Sequence, residues 1–216
     1  MRRRAGLTRE QLKQLVSATK TTLWKTPWVE QRQRITSELI RKYVARLPKN
    51  TLPAIRNAVS DLGNYNPEIR FKAISSLKKM SDYGLHVPQA VKPLILLLKD
   101  SSPAVRKISA FQLGYMKARR AVPQLAFSLK DKDPKVRAAA VWALGRMKVV
   151  EAAKPIMNLL GDRNPLVRTK AADALGEMKV QAASKPLDTI ANNDPDKGVR
   201  KAASKAVTEI LLGENR

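Results

Sequence analysis

Cysteine is absent from the 216-residue chain, and histidine occurs once, at His86. The first absence removes disulfides, thiol nucleophiles and Cys-ligated metal. The second leaves a histidine-based metal site with almost nothing to build on. His86 itself falls in Asp82-Tyr-Gly-Leu-His-Val-Pro88, a turn between two helical stretches, where a lone histidine is an ordinary solvated residue. Glycine is scarce, at nine residues, while Ala, Leu, Val, Lys and Arg dominate, a balance that favours helix over sheet. No apolar run approaches the ~18 residues of a membrane span. Behind Met1-Arg2-Arg3-Arg4 there is no apolar stretch of the kind that drives export, so the chain is expected to be intracellular and cytoplasmic. An Arg-rich, acid-poor start also suits an organelle-targeting segment, but an orderly helix pattern already begins at Thr8. No Gly-rich phosphate loop, Ser-His-Asp set or metal-ligand spacing appears, so no catalytic residue, metal or cofactor is expected and the chain reads as a non-enzyme.

Acids are in short supply as well. There are 18 of them against 42 lysines and arginines, a net charge of +24. Residues 1–63 hold 14 basic and 4 acidic side chains and residues 64–216 hold 28 and 14, so the excess runs the length of the chain. A charge this large repels itself and calls for a polyanionic partner: nucleic acid, RNA or a ribonucleoprotein before DNA alone, or an acidic protein.

What the chain does contain is a repeated phrase. It reads Asp100-Ser-Ser-Pro-Ala-Val-Arg106, Asp131-Lys-Asp-Pro-Lys-Val-Arg137 and Asp162-Arg-Asn-Pro-Leu-Val-Arg168, with a looser copy from Asn193 to Arg200. The prolines at 103, 134 and 165 step by 31, a period that means stacked supersecondary units. Ser102, Asp133, Asn164 and Asp194 each precede a proline, the pattern of an N-cap followed by proline at the first helical position. Thr26-Pro27 and Asn66-Pro67 repeat it upstream, and Pro53, Pro93, Pro123, Pro155 and Pro186 fall near the start of a second, interleaved series. In the unit from Pro134, Val136, Ala140, Ala143, Leu144 and Met147 recur at helical spacing and form the stripe to be buried. Gly114, Gly145 and Gly176 repeat at 31, and with the alanines around them let neighbouring helices come close.

The string Pro-x-Val-Arg-x-x-Ala-x-x-x-Leu-Gly resembles the HEAT-like repeats named after phycobilisome lyases, clearly from about Asn66 to Leu212 and only faintly upstream. The resemblance implies an all-α, right-handed α-solenoid of about five helix pairs with terminal capping helices. A basic tail (1–7) then precedes a single solenoid (8–216), with a cap at 8–22, pairs at 27–63, 64–100, 101–131, 132–162 and 163–193, and a closing helix at 196–212. Thr8 and Gln11 are a candidate capping box for the first of these. Similar repeats serve bilin lyases, scaffolds and DNA-binding proteins, so the motif speaks for fold more than for function. Deoxyhypusine hydroxylase, an enzyme on a similar repeat, needs several His-Glu pairs that one histidine cannot supply. The catalytic residues of the HEAT-like alkylpurine DNA glycosylases have no match here.

The repeated Asp100, Asp131 and Asp162 with Arg106, Arg137 and Arg168 are expected to join successive units as a structural ladder, since a catalytic pair would not recur in every unit. The turns Met116-Lys117-Ala-Arg119-Arg120, Met147-Lys148 and Met178-Lys179 put lysine three times where the related repeats often carry Gly-Asp. Lys117, Lys148 and Lys179 should line a cationic edge with Arg119 and Arg120, joined by Lys154 and Lys185 just ahead of their prolines. Arg2, Arg3 and Arg4 extend the candidate nucleic-acid surface, and contact would be mostly to phosphate. Trp142 lies off the buried stripe and either packs on the neighbouring repeat or is a contact aromatic. Trp24 and Trp28 either cover the apolar edge beside the first repeat or stack on a base. Three functions compete: a nucleic-acid or ribonucleoprotein scaffold, an adaptor for an acidic protein, and a factor like the bilin lyases.

Overall fold

A computed structural model describes residues 28–214, with side chains from residue 30 to residue 212. The tail 1–7 with Arg2, Arg3 and Arg4, the capping helix expected at 8–22, and Trp24 lie outside the described residues, as does the side chain of Trp28. The described chain is helical throughout and contains no strand. Its helices are α1 (Trp28–Ala45), α2 (Pro53–Asp61), α3 (Pro67–Asp82), α4 (Val91–Leu97), α5 (Pro103–Tyr115), α6 (Val122–Ser128), α7 (Pro134–Arg146), α8 (Ala153–Asn158), α9 (Pro165–Glu177), α10 (Ser184–Asn193) and α11 (Lys197–Glu214). Short 3-10 turns at Pro88–Ala90, Arg119–Ala121, Val150–Ala152 and Gln181–Ala183 lead into α4, α6, α8 and α10.

The prolines place the helix starts as their spacing implies. Pro67, Pro103, Pro134 and Pro165 are each the first helical residue. Pro53 opens α2, and Pro93, Pro123, Pro155 and Pro186 all fall in a first turn, where a missing N–H deprives no carbonyl of its partner. The side chain of Asn66 accepts the N–H of Glu68, Asp133 accepts those of Lys135 and Val136, and Asn164 accepts that of Leu166. Two expected caps differ. The Ser102 side chain makes no cap bond; the Asp100 carboxylate takes the Ser102 N–H instead. Asp194 is not an N-cap; it closes α10 instead, its N–H bonding the Ile190 carbonyl. It accepts the N–H of Asp196 and pairs with Arg168, while Asp196 accepts the N–H of Val199. Helix α11 therefore opens at Lys197, and Pro195 stays in the loop.

Helices α5, α7, α9 and α11 stack directly on one another in a tight row. Helices α4, α6, α8 and α10 form an outer row, each leaning on the next member of the tight row rather than on its own kind. The seam of the tight row is built from small residues. A Cβ on Gly114 would stand 2.8 Å from the Cα of Ala143, and one on Gly176 would stand 2.8 Å from the Cα of Ala206. The expected stripe is buried: Val136, Ala140, Ala143 and Leu144 are fully enclosed, with Met147 beside them. Enclosing one side chain the size of Leu144 stabilises by about 1.5–3 kcal/mol. At the place of these glycines α3 carries Lys78, and its packing on α5 is sparser. Helix α1 departs further, packing on α2 and α4 instead of entering the tight row.

Candidate anion-binding edge

Two basic positions recur, an arginine from Arg70 onward and a turn lysine in three successive units, and the fold treats them oppositely. The arginine of the Val-Arg pair is consumed in the structure. Nε and one terminal nitrogen of Arg106 donate to the two carboxylate oxygens of Asp131, both at 2.8 Å. Arg137 does the same to Asp162 at 2.8 and 2.7 Å, and Arg168 to Asp194 at 2.7 and 2.8 Å. The remaining nitrogen reaches back to a backbone carbonyl of the preceding loop: Asp100, Asp131 and Asp162 accept in turn. Each aspartate also accepts the N–H two residues on, from Ser102, Asp133, Asn164 and Asp196. This is the inter-repeat ladder that the sequence implies. Its first rung is thinner, since Arg70 reaches only one oxygen of Asp100, at 2.7 Å, although both side chains are enclosed. The hydrogen bond from Arg168 holds the Asp194 carboxyl below the usual carboxylate range. For Asp162, burial pushes upward, but the hydrogen bonds from Arg137 and the Asn164 N–H outweigh it and the net shift is down.

The lysine of the turn is left to solvent. Lys117, Lys148 and Lys179 are exposed, and no acidic side chain pairs with them among the described residues. Each follows a tight-row helix by two residues, where the chain must reverse its twist. The N–H of Lys148 bonds the carbonyl of Gly145 and that of Val149 bonds the carbonyl of Leu144, and the same two bonds recur around Lys117 and Lys179. This nested closure requires a left-handed residue, the usual place of glycine. Gly84 fills it after α3, at φ 78°. The lysines hold φ of 47°, 51° and 54° there, a conformation that is unfavourable for any residue with a β-carbon.

The other sequence candidates gather near this edge in part. Arg119 and Arg120 sit in the turn ahead of α6, and Lys154 and Lys185 lie exposed in the first turns of α8 and α10. Arg119 also clamps the stack, donating to the Met147 carbonyl of the next repeat at 3.2 Å. Two acids, Glu151 and Glu177, are exposed beside them. Trp142 packs on the preceding repeat: its ring centroid is 5.0 Å from Phe111 and 5.1 Å from Tyr115. The Arg146 guanidinium lies over both Tyr115 and Trp142, at 5.3 and 5.6 Å, and Lys78 lies over Tyr115 at 5.1 Å. Sequence reasoning missed this cation–aromatic cluster, although Phe111 and Trp142 occupy one position of successive units. Among the described residues no group of three or more His, Asp or Glu side chains could hold a metal, and no helix is long and apolar enough to cross a membrane.

Stacked helix pairs, a glycine–alanine seam and an Arg–Asp ladder define a helical-repeat solenoid. The profile of HEAT repeats matches residues 91–157 and 126–208, more than half of the sequence, and the chain belongs to that family. No curated relative matches the chain. Among solved structures it is similar to the complex of CpcE and CpcF of phycocyanin lyase from Nostoc sp. PCC7120, at 23% identity and a TM-score of 0.65, over 77% of this chain and 69% of that one. A designed armadillo repeat protein in complex with peptide (KR)4 aligns over 94% of this chain and 96% of its own, at 19% identity and a TM-score of 0.55. Human deoxyhypusine hydroxylase in complex with glycerol aligns over 85% of this chain and 78% of its own, at 20% identity and a TM-score of 0.50. At such identities the likeness is one of fold.

Proposed function

We propose that the protein is a non-catalytic, strongly basic scaffold that binds nucleic acid, RNA or a ribonucleoprotein first, through phosphate contacts along the Lys117, Lys148 and Lys179 edge. The observation that carries this reading is the left-handed backbone at all three lysines. An L residue loses about 1–2 kcal/mol in that region. A cation at a helix C-terminus recovers only about 0.3–1 kcal/mol. Glycine, as at Gly84, would serve the turn better, so three lysines at one repeated position are better explained by what their side chains touch. Stacked helices stand about 8–10 Å apart, so successive lysines meet successive stretches of one phosphate backbone. Arg120, Lys154 and Lys185 widen the track, and Arg2, Arg3 and Arg4 of the tail 1–7 lie along the same polyanion. No step of this reading depends on a base sequence.

The test replaces all three lysines with glycine, which removes charge without adding backbone strain. Affinity for a labelled RNA or DNA oligonucleotide should fall. The slope of log K against log salt should flatten by about one for each phosphate that is no longer neutralised. An unchanged affinity and slope in the triple variant would remove the edge from the interface. Loss of affinity in a chain starting at Leu7 would measure the share of the three arginines.

An acidic protein is the second reading. It draws on the complex of CpcE with CpcF, a protein pair; the (KR)4 peptide of the designed armadillo complex is basic, so it supports peptide binding by the fold and not an acidic partner. Salt-sensitive binding to plain oligonucleotide separates the first reading from the second.

A further inference from the structure

We infer that the outer row carries a second docking site, built around Phe127 and meeting the phosphate track only at Lys154, for an acidic protein segment with apolar side chains. Phe127 stands on α6 with 75% of its surface exposed, the most open phenylalanine among the described residues. The equivalent residues one and two repeats on are Asn158 and Thr189, so the repeat itself does not require an aromatic there. Grooves flank the ring on both sides. One, of about 480 Å³, runs from Leu98 to Asp131; the other, of about 500 Å³, lies between α6 and α8 over Pro123, Leu129 and Pro155. The second floor is mainly aliphatic, with Ala126 and Leu159 beside those residues, whereas the first is largely polar and Leu98 is its one aliphatic side chain.

The rim decides the partner. Lys99 and Lys132 border the first groove, and Lys130 and Lys154 border the second. All four are exposed, and none is paired with an acid among the described residues. The acids that line the first groove, Asp100 and Asp131, are already bonded to Arg70 and Arg106. An apolar floor beside the ring inside an uncompensated cationic rim fits a segment that inserts an apolar side chain into the second groove and brings its own carboxylates to the lysines of both. Charge excludes the chain's own stretch of residues 1–27, which has seven basic residues and one acid. A nucleic-acid strand is the weaker fit, because the aliphatic floor of the second groove rewards apolar side chains and offers nothing to phosphodiesters. An aromatic anchor ringed by pockets is also the usual form of an interface hot spot.

The test uses the full chain and fluorescence anisotropy. The probe is a short labelled peptide of glutamates around a central leucine–phenylalanine pair. Controls replace its glutamates with glutamine or its apolar pair with serine, and a single-stranded oligonucleotide of equal charge is the competitor. The acidic apolar peptide should bind at least ~10-fold more tightly than either control peptide and lose at least ~10-fold on Phe127→Ser. The melting temperature should not move, because the ring is exposed. Lys99→Glu with Lys130→Glu should weaken the acidic peptide and spare the glutamine one. Changing Lys117, Lys148 and Lys179 to glycine should leave peptide binding intact, which keeps this site distinct from the phosphate edge. Three results overturn the inference: peptide affinity indifferent to Phe127→Ser, an oligonucleotide that displaces the peptide and itself needs Phe127, or self-association that Phe127→Ser abolishes.

Discussion

Gly145 of α7 faces Ala174 of α9 with no space for a methyl group between them: a Cβ on Gly145 would stand 2.8 Å from the Cβ of Ala174. Gly145→Ala must therefore push two helices apart. Overpacking of this kind costs about 1–3 kcal/mol. The better helix propensity of alanine returns about 1 kcal/mol. The expected result is a lower urea midpoint than wild type. Gly161 is the control, since nothing lies within 4 Å of a Cβ there, and Gly161→Ala should unfold at the wild-type midpoint.

Backbone and charge separate at Lys148. Lys148→Ala and Lys148→Gly remove the same ammonium, but only glycine relieves the φ of 51°. The glycine variant should be the more stable of the two by about 1 kcal/mol, read by chemical denaturation. Both should lose the same polyanion affinity. An alanine variant as stable as the glycine one would show that the turn carries no strain.

Arg137→Ala removes the partner of Asp162 and one donor to the Asp131 carbonyl. The expected loss is about 1–3 kcal/mol. Arg137→Lys should not restore it, because an ammonium cannot meet both oxygens of Asp162 and the carbonyl together. Arg137→Ala combined with Asp162→Ala should cost less than the sum of the single changes. A variant that melts like wild type yet loses ligand would make Arg137 a ligand-binding residue instead of a rung.

Acid should loosen the ladder. The carboxyls of Asp162 and Asp194 are held below the ordinary value of 3.8 in the folded chain. The unfolded chain therefore takes up their protons first as pH falls. Their stabilisation is complete above about pH 5 and drains away as pH drops through the lowered folded values. Thermal melts from pH 7 down to pH 2 should show stability holding, then falling below about pH 4. In Asp162→Asn the acid-dependent part of the fall should shrink.

The sequence made the repeat legible because its signals are local. Asn66, Asp133 and Asn164 cap helices because a short side chain before proline has few other uses. Asp194 misleads for the same reason: it stands before a proline, and Asp196 stands two residues on, so a local reading cannot tell cap from rung. Only the position of Arg168 across the stack separates them. The lysine edge was legible as a row, while its backbone state was hidden, although Gly84 at the equivalent turn was a usable sign. Phe127 gave no sign. Its helix has seven residues, too few for a periodic pattern to mark a face as open. Trp142 could be placed off the stripe, but only the structure brings Phe111 and Tyr115 against it.

Lys78, standing where later repeats have glycine, sets how the protein comes apart. In a stacked array each unit draws stability from its neighbours, so a sparse junction marks the boundary of a cooperative block. From α5 onward the seam is continuous, and α7 and α9 are clamped on both sides. Opening should begin ahead of that boundary and spread toward the C-terminal repeats. Amide protons of α7 and α9 should exchange last, while those of α1 to α3 exchange through smaller excursions that leave the rest of the stack intact.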